Sequence, residues 1–170
     1  MIRLVKPTIE WKEKALAYRQ EHFDHGETII SGSELLDKTD SYEEWLKTVK
    51  NNENPKTVAS DWVVTDTFFA VNEEEVIVGM IDLRHTLNEF LKDFGNCGYS
   101  VRPSQRKKGY ATQMLGQILE VAKQAGMKKL QLSVERNNIP SIKTIKRNGG
   151  VYERSFEFEG EMADVYIIKV

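Results

Sequence analysis

The run from Val101 to Gly126 constrains this chain more than any other. It leaves a strand, passes through the basic turn Arg106-Lys107-Lys108, meets two small residues at Gly109 and Ala111, and opens a helix. In that helix Ala111, Met114, Leu115, Ile118, Leu119, Ala122 and Ala125 recur at i, i+3, i+4 spacing, with Gln113, Gln117, Glu120 and Lys123 on the opposite side. One face is therefore meant for a core. Gly126 stands where a left-handed residue ends such a helix. At the helix start, unpaired backbone N–H groups and the positive end of the dipole meet the three cations and a backbone open to close approach. Those features make an anion site suited to a phosphate or pyrophosphate, the alternative being a plain solvated basic turn.

The segments that follow continue the alternation of element types. Lys129 to Val134 alternates as a strand, so strand, helix and strand predict a right-handed parallel crossover. Asn138-Ile139-Pro140-Ser141 then opens a helix from Pro140 to Asn148, with Pro140 in the tolerated first turn and Gly149-Gly150 as the exit. Val151 to Phe158 and Asp164 to Val170 read as a closing hairpin.

Arg106-Lys107-Lys108-Gly109-Tyr110-Ala111 resembles the acetyl-CoA signature of the GCN5-related N-acetyltransferase (GNAT) family, Gln/Arg-x-x-Gly-x-Gly/Ala. Asn138 to Ser141 is similar to that family's Asn-x-x-Ser element, in the same order and at a similar separation. The likeness runs from about Phe68 to Val170. A subgroup of bacterial acetyltransferases also shares Arg-His-x-Leu-Asn at Arg84 to Asn88 and Gly-Tyr-Ser-Val-Arg-Pro at Gly98 to Pro103. The resemblance implies a mixed α+β fold. Its central, mostly antiparallel twisted sheet has about seven strands splayed between the fourth and fifth, and about four helices cover both faces. It also implies an acetyl-CoA-dependent N-acetyltransferase acting on a primary amine of a small molecule or protein, the alternative being a non-catalytic acyl-CoA-binding or sensor protein.

Carried over residue by residue, the resemblance gives Arg106, Lys107, Lys108, Gly109, Tyr110, Ala111 and Thr112 to the cofactor's phosphates. Asn138 and Ser141 would hold the pantetheine arm, Lys143 would add a phosphate contact, and Val101 would offer a backbone N–H to the oxyanion. It also implies that the loop between the first two helices, Gly26 to Asp40, lines the acceptor pocket, where Glu27 could bind or deprotonate the amine. A solvated carboxylate is the plain alternative for Glu27. The acids of that loop, Glu27, Glu34, Asp37 and Asp40, lean toward a cationic acceptor such as a polyamine, aminoglycoside or lysine-like amine. One departure stands out: many members carry a tyrosine four residues after the motif serine as general acid, and here that position is Ile145. Tyr99 and Tyr152 remain open as substitutes.

The first third of the chain matches no motif. Ile2 to Val5 reads as an edge strand stopped by Pro7, and Thr8 to Gly26 as a helix with Thr8 as N-cap. Gly26 to Asp40 is loop with a short helical turn at Glu34 to Asp37. Ser41-Tyr42-Glu43-Glu44 resembles a capping box before a helix whose face is Tyr42, Trp45, Leu46 and Val49. Thr67 to Asn72 and Val76 to Leu83 form a hairpin, followed by a connection with a short helical piece and a strand from Gly95 to Val101. His85, in that connection, is the histidine whose ordinary pKa suits proton transfer, with a hydrogen-bonded structural role as the alternative.

Composition bounds the rest. A length of 170 residues, 40% hydrophobic and 29% charged, fits one globular domain over residues 1–170. The net charge of −2 argues against general nucleic-acid binding and makes the basic turn a local feature. The single cysteine, Cys97, excludes an intramolecular disulfide and a cysteine metal site, and it reads as a small buried hydrophobe. No signal peptide or spanning run is visible, so a cytoplasmic protein without membrane partner or resident metal is expected, with a homodimer suggested by the family resemblance.

Overall fold

The computed structural model describes all residues, 1–170. Its centre is the hairpin of β2 (Thr65–Val71) and β3 (Ile77–Arg84), two runs rich in β-branched and aromatic residues. Asn72 builds the turn: its Oδ1 accepts the N–H groups of Glu74 and Val76 at 3.1 and 2.9 Å, and its own N–H donates to the Val76 carbonyl. On the outer edge of β2 lies β1 (Arg3–Val5), and on the outer edge of β3 lies β4 (Tyr99–Val101), all antiparallel. A second antiparallel sheet has the order β5 (Lys129–Glu135), β7 (Glu161–Lys169), β6 (Val151–Phe158). The seven strands and four helices are those of the expected fold class.

The central hairpin is buried on both faces, which divides the core. Phe69, Val71, Ile77 and Met80 pack with α1 (Lys12–Asp24) and α2 (Tyr42–Asn52). Phe68, Ala70, Val78, Ile81 and Leu83 pack with α3 (Tyr110–Gln124), the second sheet and Ile145 of α4 (Ile139–Arg147). Strict alternation would separate Ile77 from Met80. A register shift between Ala70/Val71 and Gly79/Ile77 leaves Val78 as an extra residue and returns both to one face.

Local signals place the helix ends. Ser41 caps α2, its Oγ accepting the Glu44 N–H at 3.2 Å, and Tyr42, Trp45, Leu46 and Val49 are buried as the pattern requires. Helix α3 starts after Gly109 and stops before Gly126, both at φ +82°. Its core face is Met114, Leu115, Ile118 and Ala122, whereas Ala111 and Leu119 are only partly buried and Ala125 is exposed.

Four expectations need correction. The first helix does not begin at a Thr8 cap: a 3-10 turn spans Ile9–Trp11, and Thr8 is extended with its side chain unbonded to the helix. Glu34 to Asp37 is not a helical turn, because Glu34 and Leu35 hold left-handed φ values of 49° and 71°. Residues 89–94 form turns with no helix. The strand from Gly95 is regular only at Tyr99–Val101, and the predicted parallel crossover does not form within one sheet, because the expected splay leaves β4 and β5 in separate sheets.

The last correction defines the site. Gly95 and Leu132 make one isolated bridge between the sheets. Beside it the buried Asn96 bonds to both sides: its N–H donates to Gln131 O at 2.7 Å and its Oδ1 accepts the Gln131 N–H at 2.9 Å. Toward β3 its carbonyl accepts the Arg84 N–H at 2.6 Å and its Nδ2 donates to Arg84 O at 3.0 Å. Beyond this clasp β4 and β5 part. No helix is long and apolar enough to cross a membrane.

Candidate active site

Where the strands part, one edge of β4 is left open. Arg84, Asp82 and Arg102 exchange backbone bonds with Asn96, Gly98 and Val78, so the even-numbered residues of this strand face β3. By the alternation of an antiparallel ladder, the N–H and carbonyl of Tyr99 and Val101 point the other way, into the gap. The amino end of α3 comes to the same place, and α4 forms the opposite wall. Between them lies a cavity of about 770 Å³.

The phosphate turn and the α4 start line one end. Lys107, Gly109, Tyr110, Ala111 and Thr112 meet Asn138, Ser141, Lys143 and Arg147 there. Gly109 takes a left-handed conformation, and a Cβ built on it would meet nothing within 4 Å, so its backbone is open to a ligand. These groups fit a chain of phosphates: free helix N–H donors, an approachable backbone and three cations. Lys108 turns aside to Gln105 at 3.1 Å. Asn138 doubles as the N-cap of α4, its Oδ1 accepting the Ser141 N–H at 3.3 Å.

Helix α1 supplies the other end, through a polar face at i, i+3, i+4. Tyr18 Oη bonds to Ser100 Oγ at 2.7 Å. Glu21 accepts Arg102 Nε at 2.9 Å and the Ser104 N–H at 2.8 Å, which holds its carboxyl at about 2 despite burial. His22 and Glu27 line the cavity, joined by His22 Nδ1 and Glu27 Oε1 at 3.0 Å. Arg106 grips Glu27 with both terminal nitrogens, at 2.6 and 2.8 Å, and its Nε donates to the Val101 carbonyl at 3.3 Å. The guanidinium holds the Glu27 carboxyl at about 2. With Glu27 ionised, His22 carries its proton on Nδ1. Burial lowers the His22 pKa, and its Nε2 is buried without a partner.

The loop between α1 and α2 is fastened over this end. Gly32 touches β4 backbone to backbone: a Cβ there would lie 2.5 Å from Gly98 O. Arg19 Nη1 donates to the carbonyls of Leu36 and Thr39, and Trp45 Nε1 to those of Ser33 and Glu34. Of the four loop acids, only Glu27 lines the cavity. Asp37 accepts the Ile30 N–H at 2.7 Å, and Glu34 is buried beside Asp82, Arg84 and Trp62. The acidic lean of the loop is thus largely spent inside the fold.

The structure brings most of the sequence-derived residues to one cavity, with three exceptions in their side chains. Arg106 faces Glu27 rather than the phosphate turn. Lys108 points away. His85 lies outside the cavity, its Nε2 on Asp66 at 2.8 Å, with Lys6 on the same carboxylate. Ile145 is buried in the core and Cys97 is buried with its thiol pushed well up, while Tyr152 sits exposed on Ser155. Of the two open substitutes, Tyr99 is the one that lines the cavity: it bonds Ser141 Oγ at 2.6 Å, and burial raises it to about 12. His22, Ser100 and Arg147 were missed by sequence reasoning. His22 had a weak signal, its i, i+4 spacing from Tyr18 on a helix whose buried face is otherwise small.

Residues 34–150 match the profile of the Acetyltransferase (GNAT) family, beginning well before the region carrying the motif resemblance and ending before β6. No curated protein matches significantly. Among solved structures, the microcin C7 self-immunity acetyltransferase MccE, in complex with acetyl-CoA and AMP, is 16% identical with a TM-score of 0.73, over 99% of this chain and 92% of that one. YncA from Salmonella typhimurium, with its cofactor acetyl-CoA, is 13% identical with a TM-score of 0.69, over 99% and 92%. Mutant forms of the spermidine/spermine N-acetyltransferase SpeG from Vibrio cholerae give 12% and 0.68, over 99% and 93%. At such identities the structures establish the shared fold.

Proposed function

The chain belongs to the acetyltransferase (GNAT) family, and from that premise we propose that it moves an acetyl group from acetyl-CoA to a primary amine at the parted strands. Acetyl-CoA is the co-substrate seen in family structures such as those of MccE and YncA. The observation that carries the reading is the juxtaposition of an open β4 edge at Val101 with the amino end of α3 in one cavity. The turn from Lys107 to Thr112, with Lys143 and Arg147, suits the phosphates, and Asn138 and Ser141 suit the pantetheine arm.

Bound there, acetyl-CoA supplies the acetyl group as a thioester. The bound ammonium first gives one proton to a base. The amine nitrogen then bonds to the carbonyl carbon, the carbon–sulfur bond breaks with its electron pair going to sulfur, and the second nitrogen-bound proton ends on sulfur as the thiol. Val101 N–H is the donor aimed at the oxygen that gains charge. Tyr99, a phenol protonated at neutral pH and held more firmly so by burial, donates a hydrogen bond to the departing sulfur. Glu27 is too weak a base to take the amine's proton, so its role is to hold the ammonium. His22, bonded to Glu27 and kept neutral by burial, is the base beside the ammonium site, acting through its buried Nε2 once the acceptor or a water reaches that nitrogen.

Thiol release from acetyl-CoA, with the product weighed by mass spectrometry, tests this. Release that requires an added amine and matches its mass gain of one acetyl group is expected. Binding of acetyl-CoA without acetylation of any amine would establish the non-catalytic acyl-CoA-binding reading instead.

A further inference from the structure

Resting on the acetyltransferase reading, we infer that the acceptor is an amine carrying its own carboxylate, an amino acid or close relative, with Glu27 taking the ammonium and Arg106 taking the carboxylate. The Arg106 side chain belongs to the acceptor end of the cavity. Its Nε is tied to Val101 O at 3.3 Å and its two terminal nitrogens to Glu27 at 2.8 and 2.6 Å, while the phosphate turn begins one residue later. A guanidinium in that position presents a planar fork, the shape that a carboxylate matches with two parallel bonds.

Charge balance then selects the ligand. Glu27 is the sole carboxylate lining the cavity, and with Lys107, Lys143 and Arg147 matched to the cofactor's phosphates, Arg106 is the cation left to the acceptor end. A ligand with only positive charge must draw Glu27 off Arg106, leaving that guanidinium uncompensated. A ligand with only negative charge strands Glu27 in the same way. A zwitterion replaces both partners at once, so no charge is left unpaired.

The pair is built to open. Arg106 and Glu27 are 43% and 35% exposed, and half-exposed pairs of this kind separate at small cost. Glu27 stays in place when Arg106 turns, because His22 Nδ1 holds its Oε1 at 3.0 Å. The spermidine-like acceptors that the loop's acids first suggested fit poorly, since Glu34 and Asp37 are committed within the fold.

The test uses the full chain, saturating acetyl-CoA and three sets of amines: the free L-amino acids, the carboxamide of each, and spermidine. Each amino acid and its carboxamide share the amine and differ in the carboxylate. The best amino acid should exceed its own carboxamide by at least about tenfold in kcat/KM, and Arg106→Gln should erase that ratio. A carboxamide or spermidine equal to the best amino acid overturns the inference while leaving acetyl transfer intact. Saturable acetyl-CoA binding with no transfer to any amine overturns the transferase reading and the inference with it.

Discussion

Glu27 and Glu34 lie seven residues apart in one loop, and the fold drives them in opposite directions. Glu27 meets a guanidinium at the rim of the cavity and is held at about 2. Glu34 is taken inside. Burial and the neighbouring Asp82 push its carboxyl well above the ordinary range, so it keeps its proton and shares a hydrogen bond with Asp82. Asp82 is already engaged by the Gly98 N–H at 2.7 Å and by Arg84 at 3.2 Å, and Arg84 is the one cation for the two acids. The same side chain serves as a permanent anion where a ligand can reach it and as a neutral donor where the loop must dock on β3. Sequence shows two glutamates; only the partners decide which is chemistry and which is construction.

The sharpest way to break the contrast is Glu27→Gln. Losing the ammonium partner should lower kcat/KM for the acceptor by about 100-fold in steady-state assays. An unchanged kcat/KM would move Glu27 to the structural side.

A smaller effect is expected from Glu34→Gln, which supplies the same donor toward Asp82 and the same acceptor toward Trp62 Nε1 without a proton to lose. A carboxyl raised by folding contributes fully below its ordinary value of 4.5, and that contribution drains away as pH rises toward its raised value. Glu27 has the opposite sign: its contribution is present above 4.5 and fades as pH falls toward about 2. Denaturant unfolding should therefore show Glu34→Gln more stable than the parent by about 1–2 kcal/mol near pH 8, with the parent's decline from about pH 5 upward flattened. An equal slope in both proteins would mean that Glu34 is ionised in the fold.

Much of the architecture was legible because it is written locally. The Ser41 cap, the Asn72 turn and the left-handed glycines around α3 act within a few residues, so their sequence signals and their structures coincide. The turn and helix start that line one end of the cavity were legible for the same reason. The end formed by α1 and its following loop was not. Arg106 finds Glu27 across 79 positions and Glu21 finds Arg102 across 81, and no spacing rule reaches that far. The early end of the β4 strand was also hidden, because Asn96 replaces ladder pairing with side-chain bonds to two neighbours at once. His85 misled for the converse reason: its ordinary pKa suits catalysis anywhere, and the fold gave it to Asp66 away from the cavity.

The account rests most heavily on acetyl-CoA occupying the gap between β4 and α3, and calorimetric titration of the native chain and of Gly109→Asp tests that directly. Gly109 holds φ +82° with open space before it, so an aspartate there strains the backbone and sets a carboxylate against the phosphates. Saturable binding at one site per chain, lost in Gly109→Asp with folding preserved by circular dichroism, is the expected result. No binding to the native chain, or unaltered binding to the variant, would contradict the placement of the cofactor and the function built on it.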